Sequence, residues 1–203
     1  MRKSNLARFI SEAFEPGKRG ICEAYIFTEP TAGSPPITDH VIPATVETVG
    51  STVIKNVLVP LGTIRRAVDP VFGEGEFIRL VGIGSTIVGS LVTYDTTTWQ
   101  TALGTVALVK NQGVPLAVAM SACVANEHGW YQISGLAVIA KTAVACNPGV
   151  PIFISATSGK IKVLASAGQQ ILGAQSANLA TLSAGVTTVT CVINRPFGQG
   201  QVT

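Results

Sequence analysis

"HGWYQISGLAVI", residues 128–139, combines one of the two histidines of the chain with a Trp-Tyr pair and an apolar run. Its side chains alternate, with Tyr131 and Ile133 on one side and polar residues between them, and this period of two predicts a β-strand. We interpret the stretch as the returning strand of a hairpin whose turn is "ANEHG", residues 125–129. His128 would then lie at an exposed tip. The question is whether this strand contributes residues to a catalytic or binding site or contributes only to the fold.

Short apolar segments of the same kind fill the chain from residue 20 onward. They are rich in Val, Ile, Thr, Tyr and Phe and are separated by Gly, Pro, Asn and Ser, as in "EFIRLVGI", "VPLAVAMSA", "VPIFISA" and "TTVTCVIN". This spacing, with turn residues about every dozen positions, is typical of an antiparallel β-sandwich or barrel. The sequence therefore predicts a mainly β protein.

Two stretches of the second part resemble each other at an offset of 56 residues. "LAVAMSACVANEHGWYQISG" begins at Leu116 and "LGAQSANLATLSAGVTTVTC" begins at Leu172. Because 56 is even, Ile133 and Val189 fall on the same face of their strands. Upstream, "GSLVTYDTTT" at Gly89 resembles "GVPIFISATS" at Gly149, with a slip of four residues between the two matches. We predict an internal repeat of residues 89–139 in residues 149–194, with both Ile133 and Val189 buried.

The first twenty residues differ from the rest in pattern and in charge. Five basic residues against two acidic residues give a net charge of +3, which equals the charge of the whole chain, so residues 21–203 are neutral. Apolar residues at helical spacing predict a short amphipathic helix, ended by Pro16. We divide the chain into a basic arm (1–20), a first β segment (21–75) and a β domain (76–203). The arm residues expected to bind a partner are Arg2, Lys3, Leu6, Arg8, Phe9 and Ile10.

The composition favours a protein that is covered by partners. Charged residues make up 12% of the chain, against roughly 25% in typical globular proteins. A surface with so few charges resists aggregation poorly unless other subunits cover it. The four cysteines are far apart in sequence and three of them stand among Ala and Val, which indicates reduced core residues. We find no targeting segment and no apolar run long enough to span a membrane.

Candidate chemistry is sparse, and we expect no catalytic, cofactor-binding or metal site. The chain has two histidines and lacks both a G-x-S-x-G nucleophile motif and a phosphate-binding P-loop. Glu74 and Glu76 would face the same way on a strand, but two carboxylates fall short of the six or more oxygens that calcium takes. A solvated turn is the simpler interpretation. Trp130 and Tyr131 remain as a stacking platform for a sugar or a base, or as packing residues.

Several of these segments resemble the β-rich structural proteins of tailed-bacteriophage heads, in particular the capsid decoration, or cement, proteins. The resemblance lies in "GWYQISG" after a polar turn, in "PIFISATSGKI", and in the closing "ILGAQ" and "AGVTTVTCVIN", and it extends over about half the chain, residues 89–194. It implies a β-tulip-like fold without enzymatic activity. It further implies a homo-oligomer, most often a trimer, that binds the major capsid protein on the outer surface of the virion after assembly in the host cytoplasm.

Other function classes are kept as alternatives. A tail or head-fibre adhesin would bind host glycans through Trp130 and Tyr131. A major shell subunit is disfavoured because phage-type shells need a long helix. Nucleic acid and membrane are not expected as partners, because residues 21–203 carry no net positive charge and no spanning segment is present.

Overall fold

The structure is a computed structural model that describes residues 60–69, 71–120, 122 and 128–201, together with the strand backbone of residues 26–27, 46–49 and 52–55. The predicted arm and the six partner-binding residues in it lie outside the described residues. So do Cys22, Cys123 and most of the predicted turn at 125–129.

Strands are the dominant regular structure of the described residues, so the prediction of a mainly β fold is confirmed. One short helix, α1 (Val106–Val109), stands among them. The strands are β1 (Ile26–Phe27), β2 (Val46–Val49), β3 (Thr52–Lys55), β4 (Ile64–Asp69), β5 (Gly73–Val81), β6 (Leu91–Tyr94), β7 (Thr101–Leu103), β8 (Leu116–Ala119), β9 (His128–Ala140), β10 (Pro151–Ile154), β11 (Ile161–Lys162), β12 (Gln170–Ser176) and β13 (Thr188–Gly198).

Eleven of these strands form one curled antiparallel sheet. Its main path runs β1-β4-β5-β9-β13-β12-β10-β11, and β6, β7 and β8 are attached beside β9. β2 and β3 pair separately as a hairpin. The predicted boundary between residues 75 and 76 falls inside β5, so the described strands on both sides of that boundary share one sheet. The stretch "GEGEF", interpreted as a turn, belongs to β5.

β9, the strand quoted at the outset, joins the parts of the sheet. Its first half pairs with β5 and β8, and its second half pairs with β13. Ser134 is the last residue of β9 that pairs with β5 and the first that pairs with β13, and it is followed by Gly135, which has φ +101°. A Cβ atom there would lie 2.6 Å from the carbonyl oxygen of Glu74. Only glycine tolerates both the left-handed backbone and this close approach.

The core lies on the face of the sheet that the alternation predicts. Val189, Cys191 and Ile193 of β13 are buried together with Ala137 and Ile139 of β9. Tyr131 and Ile133 pack with β5 and β8 in a second cluster. Ile133 and Val189 are 3% and 2% exposed, so the prediction that both are buried is confirmed.

The same pairing pattern occurs twice along the chain. β6 pairs with β7 and β8, and β8 pairs with β9. In the same way β10 pairs with β11 and β12, and β12 pairs with β13. The amide of Gly89 donates to the carbonyl of Ala119 at 2.8 Å, and the amide of Gly149 donates to that of Ser176 at 3.1 Å. These equivalent bonds are offset by 60 residues at the donor and by 57 at the acceptor.

Left-handed backbone positions follow the same offset of 60. Trp99 (φ 60°) precedes β7 as Gly159 (φ 70°) precedes β11, and Gly89 (φ 80°) and Gly149 (φ 67°) are equivalent before β6 and β10. The left-handed positions thus recur at 60, the offset at which the sequence match places Gly89 and Gly149. The offset of 57 between the acceptors Ala119 and Ser176 is close to the 56 of the downstream match.

Candidate interaction surfaces

The Trp-Tyr pair is not a surface feature of the described structure. Trp130 is 2% exposed and Tyr131 is 0% exposed. Tyr131 packs in the core cluster with Ile78 and Leu80 of β5. Neither ring offers a face to a sugar or a base, so the stacking-platform interpretation is wrong for this arrangement. Their large apolar area instead contributes to packing.

His128 is half-buried at the start of β9 and does not lie at an exposed tip, as the sequence had led us to expect. Its Nδ1 lies 3.4 Å from a guanidinium nitrogen of Arg79, a residue that is itself buried. Burial lowers the pKa of His128, and the positive charge of Arg79 lowers it further. The imidazole is therefore neutral at neutral pH and accepts a hydrogen bond from Arg79, which is a structural role.

The two described cysteines are free and buried, as predicted. Burial, with a smaller contribution from Cys146, raises the pKa of the Cys191 thiol to about 12. A thiol with so high a pKa stays protonated and is a poor nucleophile. Lys141 is also buried, and its Nζ donates to the carbonyls of Thr142, Val144 and Ser183 at 3.3, 2.8 and 3.3 Å. It therefore ties two loops together.

The first exposed feature of note is an uncharged end of the sheet, formed by three loops. The loops are 82–90 ("GIGSTIVGS"), 142–150 ("TAVACNPGV") and 177–188 ("ANLATLSAGVTT"), none of which contains Asp, Glu, Lys, Arg or His. They meet at the end of β9, where the amide of Ala140 donates to Gly89 at 2.9 Å and that of Lys141 donates to Thr187 at 2.8 Å. We call these three loops the uncharged end.

Large apolar side chains on the uncharged end are exposed to solvent. Leu179 is fully exposed, Ile87 is 57% exposed, and Val88 and Val186 are also exposed. The loops 82–90 and 142–150 are separated by the offset of 60 residues seen in the backbone. Single exposed apolar residues are common, but several of them on loops without a charged side chain make the uncharged end a candidate interaction surface.

The second feature is a charged groove on the outer face of the sheet, of about 400 Å³. Glu76 holds a guanidinium on each carboxylate oxygen: Nε of Arg66 lies 3.3 Å from Oε1, and Nη2 of Arg195 lies 3.3 Å from Oε2. Glu74 adds a longer contact to Arg66 at 3.7 Å. The Arg66 and Arg195 side chains are 65% and 64% exposed, whereas Glu76 is 18% exposed.

The backbone of Arg195 is strained. Its φ of 43° lies in the left-handed region, which costs a residue other than glycine roughly 1–2 kcal/mol. The buried residues of β13 are 189, 191 and 193 before Arg195, and 196 and 198 after it. The alternation of buried and exposed residues therefore shifts by one residue at Arg195. A regular strand would turn Arg195 toward the core, and the shift turns it outward beside Glu76.

Sequence reasoning missed both surfaces. Arg66 and Arg195 are 129 positions apart, and only the pairing of four strands brings them together. The sequence signal for Arg195 is that it is the single charged residue of β13, whereas Arg66 in β4 stands among other charged residues and has no such signal. The uncharged end could have been found from the charge-free loops, but their meeting point depends on the hydrogen bonds of Ala140 and Lys141.

Comparison with known proteins adds no family. Neither the protein-family models nor the curated protein sequences contain a match to this chain. In the described part of the chain, no helix is long and apolar enough to cross a membrane. Within those same residues, no group of three or more His, Cys, Asp or Glu side chains is placed to hold a metal ion.

Proposed function

We propose that this chain is a non-enzymatic structural protein that binds the outer surface of an icosahedral phage capsid and stabilises it. The observation that carries the proposal is the uncharged end, where Ile87, Val88 and Leu179 stand exposed on loops without a single charge. The resemblance of residues 89–194 to decoration proteins supplies the kind of partner. The low charge of the whole chain supports the same conclusion, because a covered surface needs few charges.

The uncharged end suits docking for an energetic reason. Burying an exposed aliphatic side chain in a partner contributes about 1.5–3 kcal/mol when it is fully covered. Burying charges would oppose this gain through desolvation, and these loops contain none. Threonine, serine and backbone groups at the rim can form hydrogen bonds to the capsid subunit.

The proposal includes an internal repeat as its architectural basis. The repeated pairing of β6–β9 and β10–β13, and the offset of 60 residues between left-handed positions, support two copies of one unit. Loops 82–90 and 142–150 then occupy equivalent positions in the two copies. Duplication would double one contact surface, which is useful for a protein that bridges neighbouring capsid subunits.

The test is co-sedimentation with capsids purified from a phage that carries this sequence. We expect stoichiometric binding by the unmodified protein and at least about tenfold weaker binding by Leu179→Asp, because the charge would be buried unpaired. Val71→Asp is the matched control, since Val71 is an exposed apolar residue on the β4–β5 turn. Failure of the unmodified protein to bind, or equal effects of both variants, would contradict the proposal.

A further inference from the structure

The charged groove has a regular construction that the uncharged end does not share. Arg66 of β4 pairs with Glu76 of β5, Glu76 pairs with Ser134 of β9, and Ser134 pairs with Asn194 of β13. Four polar side chains thus form one row across four neighbouring strands, and Arg195 follows at its end. Strands lie about 4.8 Å apart, so the row is roughly 14 Å long, the length of about four extended residues.

The position of Arg195 is the unusual element of this row. Gly135 is the eighth residue of β9, as Arg195 is of β13, and both have a left-handed φ. At Gly135 a side chain would collide with the backbone. At the equivalent position of β13 the chain carries an arginine in a conformation that such residues rarely adopt, and its guanidinium is directed into the groove.

The two guanidiniums retain donors for a ligand. Each guanidinium has five N–H groups in a planar fork that matches a carboxylate. Arg195 contacts Glu76 through one nitrogen, and Arg66 contacts Glu74 and Glu76 through two. Since both side chains are nearly two-thirds exposed, their remaining donors face solvent, and Glu76 holds the pair in place.

We propose that the row from Arg66 to Arg195 binds a short extended peptide segment of a partner protein through the carboxylates of its Asp or Glu residues. The two guanidiniums converge on Glu76, Arg66 at Oε1 and Arg195 at Oε2, and receive carboxylates of the peptide there, while Ser134 and Asn194 hydrogen-bond the adjoining peptide backbone. Two arginines and two glutamates leave the groove without net charge, so a free anion gains little from long-range attraction. The ligand therefore has to bring further contacts along the row, which an extended peptide does and a phosphate ion does not.

The experiment uses the full chain and an acetylated, amidated tetraglutamate peptide, followed by two-dimensional NMR of the backbone amides. We expect the signals of Ser134 and Asn194 to shift, with an affinity that falls as salt rises. Arg195→Gly and Arg66→Gln should each weaken binding roughly tenfold, the loss of one charge-assisted pair. Lys110→Gln, which removes an exposed cation outside the groove, should leave the affinity unchanged.

The variants distinguish a role of Arg195 in peptide binding from a role in holding the structure alone. Glycine adopts φ 43° freely, so Arg195→Gly should keep its fold, and a thermal melt checks this. If Arg195 only supports Glu76, the variant will bind the peptide as tightly as the unmodified protein, which overturns the proposal. Tetraglutamine binding equally well, or inorganic phosphate displacing the peptide at equal concentration, also overturns it. The outcome is independent of capsid binding at the uncharged end.

Discussion

Two residues with left-handed backbone show how single positions control this sheet. Gly135 allows β9 to approach the carbonyl of Glu74 closely where the pairing of β9 with β5 ends. Gln132 supports this segment by donating from its Nε2 to the carbonyls of Ser134 and Leu136, both at 3.0 Å. Arg195 accepts backbone strain and gains an outward position beside Glu76. Gly135 thus contributes to the fold, whereas Arg195 contributes to an exposed surface.

At this scale we predict that Gly135→Ala destabilises the protein by more than about 2 kcal/mol. The new Cβ would meet the carbonyl of Glu74 at 2.6 Å while φ stays at +101°, so steric and backbone costs add. The free energy of unfolding in urea measures the effect. Gly84→Ala is the control, since nothing lies within 4 Å of its Cβ, and a loss at Gly84 as large as at Gly135 would contradict the explanation.

At the scale of elements, β9 and β13 determine which residues are buried. They pair in register from Thr188↔Ala140 to Asn194↔Ser134. One face of this pair contributes Ala137, Ile139 and Val189 to the core, and the other face is open. A shift of one residue would exchange the two faces, so the register of this pair decides the whole core.

We therefore predict opposite outcomes for two lysine substitutions in β13. Val189→Lys should destabilise the protein by about 3 kcal/mol or more, because the charge would enter the core. Val192→Lys, on the open face of the same strand, should change stability by less than about 1 kcal/mol. Chemical denaturation of both variants checks this. Similar losses for the two would show that the register differs from the one described.

At the scale of the whole molecule, the sheet places its two exposed features on different parts of the surface. The uncharged end is built from loops, and the charged groove lies across strands β4, β5, β9 and β13. A chain with two such separate surfaces can contact two partners at once. The self-association implied by the resemblance would add a third contact.

The predicted arm gives a test at this scale. Deleting residues 2–15 should leave a folded β body with an unchanged circular dichroism spectrum in the strand region, because Pro16-Gly17 separates the predicted helix from the predicted strands. Capsid binding should be lost or become far weaker, since the apolar side chains of Leu6, Phe9 and Ile10 would no longer be buried in the partner. Capsid co-sedimentation and light scattering measure binding and oligomeric state. If the truncated protein binds capsids as tightly as the full chain, the arm has no role in docking.

The sequence by itself determined the fold class, because period-two alternation and Gly/Pro spacing are local consequences of strand geometry. It also determined the inward face of β9 and β13, including Ile133 and Val189. It did not determine the order in which the strands pair, the burial of Trp130, or the meeting of Arg66 with Arg195. These depend on which strands pair and in which register, and three successive pairings bring together Arg66 and Arg195, which are 129 positions apart. Only the tertiary structure brings such residues together, so only it could reveal the groove and the place where the three uncharged loops meet.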